Sequence, residues 1–189
     1  MADNDNVSRC FWCNLQNPLY IKYHDEEWGV ARFDDDYLFE MLLLEGFQAG
    51  LSWECVLNKR EAFRAAFDNF DYVKIALYSE EKVVELLENK GIIRNKLKIK
   101  AAVKNAAGYQ KILSEFGSFY AYLREFWNGE TVFENGKTSS ALSDAISRDL
   151  KKRGMSFVGT TIIYSYLQAI GVINSHENGC FLVYKKRNK

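Results

Sequence analysis

The 189-residue chain is poor in the residues that interrupt or cross-link a fold: one proline (Pro18), two histidines and four cysteines. With so little proline, and no repeat or low-complexity tract, the sequence offers no linker. No apolar run reaches the roughly 18 residues that a membrane-spanning helix needs. The opening stretch MADNDNVSRC has neither a basic start nor an apolar centre, so it does not read as a secretory signal. These absences point to the cytoplasm, where thiols stay reduced. There, four cysteines read as metal ligands or buried thiols before disulfides.

Net charge is also lacking: 25 basic residues balance 25 acidic ones. The balance is uneven along the chain. Acids cluster at Asp25-Glu26-Glu27 and Asp34-Asp35-Asp36, whereas Gly91 to Lys104 holds Arg94, Lys96, Lys98, Lys100 and Lys104 and no acid. Lys151-Lys152-Arg153 and the terminal KKRNK add to the basic side. Zero net charge therefore leaves room for an anionic partner at a local patch.

What is present is mostly helical pattern. A chain of this length can bury roughly 70% of its unfolded surface, enough for one domain, with room for two small lobes. The run from Asp34 through LFEMLLLEGFQ has aspartate caps and an apolar face at residues 38, 41, 42 and 49. A second helix starts near Leu51 or Ser52. A third is capped by Ser79 and ends at Gly91, a fourth starts at Asn95, and a fifth at Ser118. A sixth opens near Ser143 and ends in a basic turn at Gly154, and a very apolar seventh ends at Gly171. The ends, up to about residue 30 and after 172, read as irregular.

Three features rise above this background. Residues 79–113 form two helices joined by the short GIIRN segment, whose free amides beside a helix N-terminus and following lysines suit a phosphate; an ordinary helical hairpin with a solvated lysine face is the plain alternative. Glu45 falls on the apolar face of its helix, three and four residues after Leu42 and Met41. A carboxylate there loses hydration and needs donors, from a ligand or from a backbone amide or arginine. Trp12, Tyr20, Tyr23, Trp28 and Trp53 are spaced irregularly, as suits stacking on a planar cationic ligand, although they could equally fill a core.

Both histidines lie near cysteines, at opposite ends of the chain. Cys10, Cys13, His24, His176 and Cys180 are five candidates for the four positions of a tetrahedral zinc, against the simpler possibility of buried thiols and two unrelated histidines.

The segments PLYIKYHDEEWGV, LFEMLLLEGFQAGLSW, GIIRNKLKI and LKKRGMSFVGTTIIYSYLQAIGVIN, with the H-x3-C of His176 and Cys180, closely resemble the DNA-3-methyladenine glycosylase I family. The resemblance runs from about Cys10 to Cys180. It implies an all-α helix-hairpin-helix DNA glycosylase fold, with 1–189 as a single domain. It also implies hydrolysis of the N-glycosidic bond of 3-methyladenine in double-stranded alkylated DNA, without lyase chemistry. Nothing in the sequence suggests more than a monomer. One structural Zn2+ on Cys10, His24, His176 and Cys180 would clasp residues 10–24 to 176–180. Cys10 is chosen by the family's Cys-x-Trp pattern, here Cys10-Phe11-Trp12, which leaves Cys13 outside it. The family's lesion contacts carry over to Glu45 and Tyr23 as candidate catalytic residues. Trp53, Tyr20, Trp12, Trp28 and Ser165 are carried over as base contacts. Leu51 would be a wedge into the duplex, and Gly91, Ile92, Ile93, Arg94, Asn95 and Lys96 would contact DNA backbone. No aspartate stands between Asp71 and Asp144, so the catalytic aspartate usual after such a hairpin is missing. A zinc-stapled DNA-binding module without catalysis, and a receptor for a small cation, are the competing readings.

Overall fold

A computed structural model describes residues 7–185. The basic tail at 186–189, noted above, lies outside the described residues. The chain is a helical assembly of α1 (Pro18–Glu26), α2 (Asp35–Gln48), α3 (Trp53–Leu57), α4 (Arg60–Ala66), α5 (Tyr72–Ile75), α6 (Glu80–Glu88), α7 (Lys96–Phe116), α8 (Phe119–Arg124), α9 (Ala141–Lys152) and α10 (Thr160–Ala169). Two-residue strands β1 (Val132–Phe133) and β2 (Ile173–Asn174) pair in parallel and fasten the segment before α9 to the one after α10. Among the described residues no helix is long and apolar enough to cross a membrane.

Helix α2 is the axis. Asp34 caps it by accepting from the Tyr37 amide, and Asp35 and Asp36 suit its N-terminal dipole. Every residue from Tyr37 to Phe47 is buried, because α10, α7, α8 and α3 pack around it. The single apolar face expected from the sequence is thus a helix enclosed on all sides. Its polar residues must find partners inside. Glu40 does: Arg60 Nε donates to it at 2.6 Å and Arg64 Nε at 3.0 Å, while Arg60 also reaches Glu27 at 2.8 Å. This buried ion network ties α4 to α2 and to the end of α1.

The structure corrects four expectations. Residues 18–26 form a regular helix, not an irregular end; Asn17 caps it and Pro18 occupies its first turn, where a missing N–H costs nothing. The second helix breaks in two, α3 capped by Ser52 and α4 beginning at Arg60. The cap of α9 is Ser140, with Ser143 completing a capping box from the third position. Helix α6 ends at Asn89 instead of Gly91; Gly91 lies beyond it, close to Ala62 and to the Asn89 side chain. One glycine has a clear steric duty. Gly171 takes φ +79° after α10, and a Cβ there would collide with the Val30–Ala31 backbone.

Candidate active site and metal centre

Helix α1 builds half the site from one face. Tyr20, Tyr23 and His24 stand at i, i+3 and i+4, all buried. Tyr20 and Tyr23 face a cavity of about 270 Å³, and His24 turns to the chain ends. Trp12, Trp28, Glu45, Gln48, Trp53, Ser165, Gln168, Ser175 and Glu177 complete the wall, with Gly136 at its exposed edge. The sequence-predicted base contacts are therefore brought together in one place. Ring centroids lie 5.5 Å apart for Trp12 and Tyr20, 4.8 Å for Trp12 and Trp28, and 5.1 Å for Tyr23 and Trp53. These are edge-on and tilted contacts among rings that line the cavity.

Glu45 is the unusual member. It is 3% exposed, and its Oε2 has no hydrogen-bond partner among the described residues. Trp53 Nε1 is likewise buried without a partner. Burial alone pushes the Glu45 carboxyl up to about 8. An acceptor facing a cavity walled by aromatic rings suits a planar cation carrying an N–H donor. The neighbouring Tyr23 hydroxyl is also pushed up, by burial and then by Glu45, so it stays protonated as a donor.

Residues 10–24 and 176–180 meet beside this cavity. Cys10, His24, His176 and Cys180 are all buried, and their ligand atoms lie within 4.8 Å of one another. Cys10 Sγ is 3.5 Å from His176 Nδ1, and Cys180 Sγ is 3.5 Å from both His24 Nε2 and His176 Nδ1. Typical metal–sulfur and metal–imidazole bonds at a tetrahedral angle imply an S···N separation of about 3.5 Å. The group could therefore hold a metal ion. Its surroundings agree. His24 Nδ1 lies 2.7 Å from Asp25 Oδ1, which leaves Nε2 to the cluster, and Arg9 in turn grips Asp25 at 2.6 Å. Burial works to raise the Asp25 pKa, but its bonds to Arg9 and His24 hold it below the usual carboxylate value. The Glu177 amide points at Cys10 Sγ from 3.4 Å. Burial pushes the Cys10 thiol up to about 12, so a thiolate there needs a cation beside it. Cys13 stands apart, donating toward the Tyr20 carbonyl at 3.7 Å, and the group within ligand distance contains Cys10 instead.

The Cys/His group and the cavity share a wall. Trp12 packs on His24 at 5.2 Å and Trp28 on His176 at 4.6 Å. A family model described as methyladenine glycosylase matches residues 12–183. The chain belongs to the methyladenine glycosylase family. It is 48% identical over 180 residues to DNA-3-methyladenine glycosylase 1 of Escherichia coli strain K12, covering 92% of this chain and 96% of that protein. A crystal structure of a 3-methyladenine DNA glycosylase I superposes with a TM-score of 0.89 at 47% identity, over 93% of this chain and all of the other. A further glycosylase I of this type, a tyrosine-to-phenylalanine variant solved in complex with 3-methyladenine, is 32% identical, with a TM-score of 0.86 over 91% of this chain and 96% of the other.

The remaining predicted residues lie elsewhere in this family fold. Leu51 is 42% exposed at the tip of the turn after α2, next to Gly50 at φ +76°. In the hairpin between α6 and α7, Ile92 is buried and Ile93 half-buried, while Arg94, Asn95 and Lys96 are exposed. Asn95 Oδ1 already accepts from the amides of Leu97 and Lys98, at 3.0 and 3.2 Å. The basic stripe is thinner than it looked: Lys100 pairs with Glu80 at 2.7 Å, and Lys98 turns inward.

Gln48, Gln168, Ser175 and Glu177 were not anticipated. Two had a readable signal: Gln48 follows Glu45, and Gln168 follows Ser165, by three residues on their helices, which is one face in each case.

Proposed function

We propose that this protein removes 3-methyladenine from alkylated double-stranded DNA, acting as a monomer in the cytoplasm. Water adds to C1′ of the deoxyribose and gives up a proton to solvent, the glycosidic bond breaks, and its electron pair leaves with the base. Methylation at N3 makes the adenine cationic, so the base departs neutral and needs little acid assistance. The observation that carries this reading is Glu45, whose buried Oε2 has no partner among the described residues and which lines an aromatic cavity. Glu45 accepts from the exocyclic amine and complements the ring charge. Trp53, Tyr20 and Trp12 enclose the base, with Trp28 and Ser165 at its margins, and Tyr23 orients Glu45 or the base. Unmethylated adenine is neutral, so it gains neither the cation–π attraction nor the charge pairing.

The reacting base must leave the stack. In this proposal Leu51 wedges into the gap, and residues Gly91 to Lys96 grip backbone phosphate through loop amides and Arg94 or Lys96. The Cys10, His24, His176 and Cys180 group holds a structural zinc. Its support is a donor set of two thiols and two imidazoles at tetrahedral spacing, with all four positions taken by protein. When bound, the zinc supplies a cross-link between the chain ends and no open coordination position. The chemistry stays with the cavity residues, which the clasp positions through Trp12 and Trp28.

A pH profile follows from Glu45. In the free protein its carboxyl titrates near 8, so the anionic form needed to meet a cation is scarce below that pH. The expected kcat/KM rises with pH toward a plateau above about 8, while kcat holds its value to lower pH because the bound cation favours the carboxylate. Steady-state kinetics on methylated DNA from pH 6 to 9 measures both. A kcat/KM that is flat across that range would remove Glu45 from this role. The direct test of the whole reading is incubation with methylated duplex and chromatography of released bases. Binding without release would instead indicate a noncatalytic DNA-binding module.

A further inference from the structure

Lys98 is a buried cation whose position is not explained by phosphate binding. It sits in the first turn of α7, 7% exposed, and among the described residues no carboxylate pairs with it. Its Nζ donates instead to the Phe47 carbonyl at 2.8 Å and the Ala49 carbonyl at 2.6 Å. Those carbonyls close the C-terminal end of α2, where the helix dipole is negative. No glycine in a Schellman turn ends α2; Ala49 leaves the helix at φ −44° and ψ 116°, Gly50 follows at φ +76°, and the Leu51 amide donates to the Gln48 carbonyl at 2.7 Å. The turn that follows holds Gly50 and the exposed Leu51, between cavity residues Gln48 and Trp53. Lys59, at the α3–α4 junction, reaches back to the Gly91 carbonyl at 3.2 Å. The hairpin region is thus tied to the end of α2 through Lys98 and to the α3–α4 junction through Lys59.

We propose that Lys98 is a positioning residue that fixes the Gly50–Leu51 turn against the hairpin helix, so that phosphate grip and duplex opening occur in one geometry. The inference rests on the function proposed above. A lysine serves here because its long chain spans from α7 to two carbonyls and its charge meets the dipole end. Methionine matches the stem without donating. Lys98 touches neither base nor reacting atoms; it acts through the turn.

The test uses single-turnover release of 3-methyladenine from methylated duplex, beside tryptophan-fluorescence titration with free 3-methyladenine. Lys98→Met is expected to lower duplex excision roughly 10- to 100-fold, the scale of a small misplacement, while free-base affinity stays within about twofold. In a Leu51→Ala background the same substitution should cost less than about twofold more, because the two residues act as one unit. Additive effects, unchanged excision, or parallel loss of excision and free-base binding would each overturn the inference. If Lys98→Met does not fold, Gly50→Ala disturbs the same turn through its positive φ without a clash, since an added Cβ meets nothing within 4 Å. It should show the same split, and parent-like excision by that variant overturns the role of the turn. A parent protein that releases no base defeats the underlying function instead.

Discussion

Glu45→Gln is expected to make the protein more stable and nearly inactive. Glutamine keeps the shape of the side chain and loses the charge. Excision of 3-methyladenine should fall by about 100-fold or more, the usual scale for removing one preorganised electrostatic contact. Affinity for duplex should change little, because phosphate contacts dominate it. The stability effect has the opposite sign. The Glu45 carboxyl is raised from 4.5 to about 8 by burial, so the folded parent holds a proton that the unfolded chain releases between those values. Parent stability therefore falls as pH rises through that window, and the full penalty is present above about 8. Glutamine has no such penalty. Its gain should be on the order of 2–4 kcal/mol at pH 9 and shrink toward pH 5. Thermal melts at the two pH values, with single-turnover excision, check both halves. A variant that keeps parent excision, or whose stability gain is the same at both pH values, contradicts the role given to Glu45.

Removal of the metal should act on stability first and on activity second. Arg9, Asp25 and the Glu177 amide surround the four residues, but the segments carrying Cys10, His176 and Cys180 lie outside the helices, and only His24 stands on one. An ion present at a thousandfold its dissociation constant adds about 4 kcal/mol. For a chain of this size that is a Tm loss of ~10 °C on chelation. Purified protein should hold about one zinc per chain. Cys180→Ser and Cys10→Ser should lose it, whereas Cys13→Ser should retain it. Full metal content in Cys180→Ser, or loss in Cys13→Ser, would refute the ligand set. Because Trp12 and Trp28 pack on the ligating histidines, loss of metal should also loosen the cavity and weaken 3-methyladenine binding.

Much of this architecture is legible in the sequence, for reasons that differ by element. Helices α6, α7 and α8 announce themselves through Ser79, Asn95 and Ser118, each of which caps by accepting a backbone amide. Helix α1 is hard to read because its interior separates polar and apolar residues weakly, yet Asn17-Pro18 is a usable start signal. Glu45 can be singled out because an acid on the apolar face of a helix needs a reason; Glu40 finds Arg60 and Arg64, whereas Oε2 of Glu45 has no partner among the described residues. The choice of Cys10 over Cys13 was not readable from spacing; both lie close before His24, and only the loop from Cys10 to Asn17 decides which thiol faces the cluster. The inward turn of Lys98 was equally hidden. Charge pattern counted it among phosphate contacts, whereas the long-range approach of α7 to the end of α2 determines its partners.

Base release is the measurement that bears most directly on the central claim. Purified protein is incubated with duplex DNA alkylated by a methylating agent, and the freed bases are separated by chromatography. The account predicts time-dependent release of 3-methyladenine, with unmethylated adenine left in place and the DNA strand uncut at the resulting abasic sites. Retention of the protein on that DNA with no base released would contradict it.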